Sequence, residues 1–161
     1  MAGEEMLFGV IGGSVLGIIG AALAIIIAGI SSAKGLEIAG NTAAAATGEN
    51  EENFSSSLIL QAMPQTQTIY GFIVAILIIL GIMNGGLTME QGFISFFAGL
   101  VVGITGISAL MQGKLASSSI GAAAKNSAVK GKVLIFVVMP EIAALFGFVI
   151  GVMMLIAGQV F

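Results

Sequence analysis

Residues 133–161 read VLIFVVMPEIAALFGFVIGVMMLIAGQVF, 29 residues in which the only charge is Glu141. A helix crossing roughly 30 Å of hydrocarbon needs about 20 mostly apolar residues, so this stretch is long enough to span a bilayer. Three more stretches pass the same count: Met6 to Ala33 has no charge in 28 residues, Asn53 to Met89 none in 37, and Gln91 to Gly113 none in 23. The chain as a whole agrees, with 58% of its 161 residues hydrophobic, 8% charged and a mean hydropathy of +1.14. Soluble domains carry roughly a quarter charged residues, far more than this chain has to cover its surface. The sequence therefore predicts an all-α membrane protein with four transmembrane helices, and excludes a soluble enzyme or a nucleic-acid binder.

The missing residue types narrow the chemistry further. There is no His and no Cys, which removes disulfides, zinc sites, haem ligation by His, thiolate nucleophiles and serine–histidine triads. No P-loop is present either, so the chain is expected to be no nucleotide-hydrolysing enzyme on its own.

Polar segments around residues 47–53, 84–90 and 125–130 separate the spans, each short enough to make consecutive helices antiparallel neighbours. Two hairpins are expected: residues 1–86, with helices over about 5–47 and 52–83, and residues 87–161, with helices over about 88–125 and 128–160. The start, Met1-Ala2-Gly3-Glu4-Glu5, lacks the basic residues of a cleavable leader, so the first helix is expected to be retained. All five lysines, Lys34, Lys114, Lys125, Lys130 and Lys132, flank the first and third connections. The positive-inside rule then puts both hairpin loops in the cytoplasm, and the termini and second turn, with Glu4, Glu5 and Glu90, outside.

The hairpins repeat one another. Met63-Pro64 followed by Tyr70-Gly71-Phe72 matches Met139-Pro140 followed by Phe146-Gly147-Phe148 at identical spacing, and upstream Gly29-Ile30-Ser31 matches Gly106-Ile107-Ser108. A tandem duplication explains both. After the second proline stands Glu141; after the first stands Gln65. Gly9, Gly13 and Gly17 in span one and Gly99, Gly103 and Gly106 in span three form small-residue stripes. Such stripes let backbones approach closely in lipid, either as a generic dimer face or as the crowded inside of a ring.

A carboxylate at the centre of a membrane helix costs on the order of 2.5–3.5 kcal/mol on insertion scales. Glu141 must therefore be protonated, hold a metal cation or face a polar cluster. Span two offers such a cluster, because Met63, Thr66, Gln67 and Tyr70 share one helical face. Gln67 lies 13 residues after Phe54, Gln112 lies 13 before Lys125 and Glu141 lies 11 after Lys130, which agree in depth within about 3 Å. One negative charge among neutral oxygens suits a hard monovalent cation. Pro64, which cannot bond back to the Leu60 carbonyl, frees backbone oxygen nearby. Interhelical hydrogen bonding alone is the other reading of Gln67 and Gln112. Lys34 and Glu37 form an i, i+3 pair, and the depth count brings Lys34 close to the same level.

Leu60 to Phe72, Gln112-Gly113-Lys114 and Met139-Pro140-Glu141 together resemble the proteolipid (K, or c-type) subunit of V/A-type rotary ATPases, in the duplicated four-helix form of the sodium-transporting bacterial branch. The resemblance runs end to end. It implies a homo-oligomeric rotor ring in the plasma membrane, working with a stator membrane subunit and central-stalk subunits. It implies Na+ bound by Glu141, Gln67, Gln112, Thr66 and the Met63 carbonyl, with Tyr70 bonded to Glu141 and Pro64 opening the backbone. A proton-carrying ring of the same family, or a small four-helix cation or drug antiporter, is the alternative.

Overall fold

The computed structural model describes the backbone of residues 2–161 and the side chains of residue 9 and residues 11–161. Glu4 and Glu5 lie outside the described side chains. The described secondary structure is helical: α1 (Ala2–Glu49), α2 (Phe54–Ala62), α3 (Thr66–Met83), α4 (Met89–Thr105), α5 (Ser108–Lys125), α6 (Leu134–Val138) and α7 (Glu141–Ala157). Among the described residues, four segments are long and apolar enough to cross a membrane: Ile11–Glu49, Glu51–Met83, Met89–Lys125 and Leu134–Ala157.

Spans two, three and four are each broken once, at chemically legible points. A short 3-10 segment, Met63–Gln65, separates α2 from α3 where Pro64 has no N–H to give. Met139-Pro140 separates α6 from α7 for the same reason. Gly106-Ile107 separates α4 from α5, with tight i to i−3 bonds at Ile107, Ala109 and Leu110.

The connections are closed by side chains. Asn50 Oδ1 accepts the Glu52 N–H at 3.0 Å, and Asn53 Nδ2 donates to the Ala46 carbonyl at 3.1 Å. At the turn between α3 and α4, Gly85 and Gly86 take φ of 139° and 83°, values that a side chain would resist. Thr88 and Gln91 then cap α4 reciprocally.

Spans one and three form the tightest pair, and glycine explains how. A Cβ on Gly92 would collide with the Gly13 backbone, one on Gly99 with the Gly20 backbone, and one on Gly113 with the Gly35 backbone. Gly92, Gly99, Gly106 and Gly113 recur every seven residues, the spacing that keeps two nearly aligned helices in contact over a long seam. Gly103 lies against Leu23 and Ile27, and Gly106 against Ala28, while Gly17 faces Leu87, Ile82 and Ile78 and Gly9 meets nothing within 4 Å among the described residues. Span two lies against span one, with Gly71 on Ala24 and Ala28, and span four rests on spans two and three.

Two apolar clusters fill the interior. Ala24, Val74, Ile78, Leu87, Val102 and Leu155 build the one toward the 84–88 turn. Ala39, Leu60, Ala116, Ile120, Val133 and Val137 build the one toward the 47–53 connection. Between them lies a polar layer. Outside, exposed Ile, Leu, Phe and Met side chains cover the spans, as expected of a multi-pass membrane protein whose surroundings are as apolar as its core.

Candidate functional site

The polar layer is built at the breaks. Below Pro64, the Met63 carbonyl accepts the Thr66 backbone N–H and faces its hydroxyl at 3.1 Å. The same hydroxyl lies 3.2 Å from Gln67 Oε1. Three oxygens from one turn of span two thus lie together, the other two around the Thr66 hydroxyl. Gln67 Nε2 donates to Gln112 Oε1 at 2.8 Å, and Gln112 Nε2 reaches Glu141 Oε2 at 3.5 Å. From the other side, the Tyr70 hydroxyl donates to Glu141 Oε1 at 3.0 Å. Gln67 and Gln112 are both 0% exposed, so the bond between them is made away from solvent, where an unpaired amide costs about 1–3 kcal/mol, while the bonds to Glu141 are partly buried.

The break at Pro140 gives Glu141 its setting. It is the first residue of α7, where the positive end of the helix dipole favours a carboxylate. Phe148, two turns along the same face, stacks on Tyr70 with ring centroids 5.0 Å apart and an interplanar angle of 22°. That stack aims the phenol at Glu141, a role that sequence reasoning missed although the i, i+7 spacing from Glu141 signals it.

The structure thus joins Thr66, Gln67, Tyr70, Gln112, Glu141 and the Met63 carbonyl into one network across three spans. Gln65, which occupies in the first hairpin the place of Glu141 in the second, is exposed and stands outside it. Lys34 pairs with Glu37 at 2.7 Å with both side chains more than half exposed; the neighbouring Gly35 touches Pro64, so this ion pair sits at the depth of the network but on another face of α1. Among the described residues, no three acidic, His or Cys side chains converge. Dense anionic coordination of the kind that holds divalent ions is therefore not found there. A single carboxylate with neutral amide, hydroxyl and carbonyl oxygens can bind a proton or a small monovalent cation.

Four spans in two hairpins, with one partly buried carboxylate about a third of the way along the last, define a membrane proteolipid. The family model for the ATP synthase C subunit matches the chain twice, over residues 19–78 and 96–154, one match per hairpin. The chain is 39% identical over 142 residues to A-type ATP synthase subunit K of Methanocaldococcus jannaschii, covering 88% of this chain and 62% of that protein. It is 38% identical over 146 residues to V-type sodium ATPase subunit K of Enterococcus hirae, covering 90% and 93%. Similarity to the V-type proton ATPase 16 kDa proteolipid of Rattus norvegicus is lower, 25% over 142 residues, with 88% and 91% covered. The chain belongs to the ATP synthase C subunit family and is a proteolipid of the V/A type.

Proposed function

We propose that this proteolipid forms the membrane rotor ring of a V/A-type ATPase and carries Na+ on Glu141. The observation that carries this reading is the set of neutral oxygens around the carboxylate. A proton needs only Glu141, whereas Thr66, Gln67, Gln112 and the Met63 carbonyl serve a cation that must exchange its hydration shell for protein oxygens. Similarity to the sodium ATPase proteolipid of E. hirae supports the same ion. A proton-carrying ring is the second reading, favoured by the proton ATPase relatives at 25% identity.

Charge balance gives the mechanism. Na+ on an ionised Glu141 leaves the site neutral, so it can turn through lipid; once the ion leaves, the carboxylate is charged and is held beside a stator subunit. Each ion moved through 100 mV is worth about 2.3 kcal/mol, so the number of Glu141 sites per turn sets the ratio of ions to ATP. One carboxylate per four helices halves that number relative to a ring of single hairpins, which favours pumping driven by ATP hydrolysis in a soluble head reached through central-stalk subunits. The ring sits in the plasma membrane with residues 47–53 and 125–130 cytoplasmic and the termini outside, as the lysine distribution suggests. Residues 1–86 and 87–161 are the two copies of the duplicated hairpin.

A hydrophobic carbodiimide, which attacks a protonated carboxyl, tests the ion. At fixed alkaline pH, NaCl is expected to protect Glu141 in the purified ring and KCl to leave it reactive. Protection that follows pH alone would instead assign the proton.

A further inference from the structure

Ser32 is a polar group that the network above leaves out. It is 1% exposed, and among the described residues its hydroxyl has no hydrogen-bond partner. Its position follows from the contacts of α1 with span two. A Cβ on Gly35 would lie 2.8 Å from the Pro64 Cβ, and one on Gly71 would lie 3.1 Å from the Ala28 Cβ. The two helices are antiparallel. Counting three residues from the first contact, or four from the second, brings Ser32 opposite Gln67 either way, and both side chains lie on the faces that make these contacts.

Gln67 has a matching deficit. Its Nε2 carries two hydrogens, and among the described residues it has one partner, Gln112 Oε1. The register thus brings an unshared amide hydrogen and an unpartnered hydroxyl to the same level of two adjoining helix faces, both buried, beside the oxygens proposed as the cation's ligands. Ser32 has the means to accept, because it can hand its own hydrogen to the carbonyl four residues back, as its neighbour Ser31 does to Ile27 at 2.7 Å.

We propose that Ser32 is a positioning residue for the cation site: its hydroxyl oxygen takes the second amide hydrogen of Gln67 when the ion is bound, and so holds Gln67 Oε1 toward the ion with Thr66 and the Met63 carbonyl. The inference rests on the sodium reading of that site. An amide tethered at both hydrogens cannot turn its nitrogen toward the ion, so Ser32 acts on retention of the cation without touching it.

The test is the Na+ concentration that half-protects Glu141 from carbodiimide in the purified ring, compared across variants. Ser32→Ala is expected to raise it about tenfold. Labelling without Na+ and the mass of the ring should stay as in the wild type. Ser32→Cys, close to serine in volume and a poor acceptor, should move the same way and serves if the alanine variant does not assemble. Ser95→Ala is the control: that hydroxyl is also buried and unpartnered, but its backbone lies under Gly20, about 18 Å along α1 from Ser32, so it should change nothing. Wild-type half-protection in Ser32→Ala and Ser32→Cys overturns the positioning role and leaves the sodium site standing. Carbodiimide labelling that changes as much without Na+ as with it also overturns it. A wild-type ring that Na+ does not protect removes the sodium reading and this inference with it.

Discussion

Gln67 Nε2 lies 2.8 Å from Gln112 Oε1, a hydrogen bond between two fully buried amides that ties the second span to the third at the depth of Glu141. Both apolar clusters close over this pair, one on each side. Leaving either amide without its partner strands fully buried polar atoms. Gln67→Leu or Gln112→Leu is therefore expected to cost about 1–3 kcal/mol. Because each also removes a proposed ligand, half-protection of Glu141 by Na+ should move up by on the order of 10- to 100-fold.

Tyr70→Phe separates two roles of one ring. The stack on Phe148 persists, while the 3.0 Å bond to Glu141 Oε1 is lost. The expected effect is a loss of about 0.5–1.5 kcal/mol, read as Na+ affinity lowered by about two- to tenfold with ring mass unchanged. Phe148→Ala should weaken binding as well, by loosening the phenol instead of deleting its hydroxyl. Unchanged affinity in Tyr70→Phe would show that the hydroxyl only fills space.

Protons and Na+ should compete for the one carboxylate. Protonating Glu141 removes the charge that holds the cation, so apparent Na+ affinity rises with pH until the carboxyl is fully ionised. In the range where it is mostly protonated, each pH unit should lower the half-protecting Na+ concentration about tenfold. Titration of carbodiimide labelling against Na+ at several pH values checks the slope.

Gln65→Glu restores a carboxylate at the repeat position after Pro64 without restoring its partners. By the 76-residue offset of the repeat, the places of Thr66, Gln67 and Tyr70 are taken in span four by Ile142, Ala143 and Phe146. The introduced carboxyl should react with carbodiimide, and Na+ should protect Glu141 but not position 65. Protection at both positions would mean that the neutral oxygens are dispensable.

Glycine contacts sort the packing positions. Gly99→Ala drives a methyl into the Gly20 backbone, which cannot give way as a side-chain tip can; overpacking of this kind costs about 1–3 kcal/mol or more. A lower thermal midpoint or yield of the detergent-solubilised protein is expected. Gly9→Ala meets open space among the described residues and should leave the fold of the single chain intact.

Much of this was legible beforehand for identifiable reasons. Charge-free stretches mark the spans, because lipid tolerates few ionised side chains. The shared depth of Gln67, Gln112 and Glu141 follows from helix rise alone, and the structure adds the bonds among them. The glycine seam was harder. Span one holds Gly9, Gly12, Gly13, Gly17 and Gly20 on several faces, and four-residue spacing draws the eye to Gly9, Gly13 and Gly17; which face meets span three depends on a partner helix some 80 residues away. The contacts instead follow a seven-residue spacing through Gly13 and Gly20. Phe148 and Ser32 were hidden for a related reason. Neither residue type signals chemistry in an apolar helix, and each matters only through what a neighbouring span sets against it.

The most direct test of the central claim is equilibrium binding of radioactive 22Na+ to the purified ring, with Glu141→Gln as the comparison. One Na+ bound per 16.2 kDa chain, displaced by protons but not by K+ and absent in Glu141→Gln, is the predicted result. No Na+ binding by a ring whose Glu141 still reacts with carbodiimide would contradict it, and would make this a proton carrier with a structural set of amides.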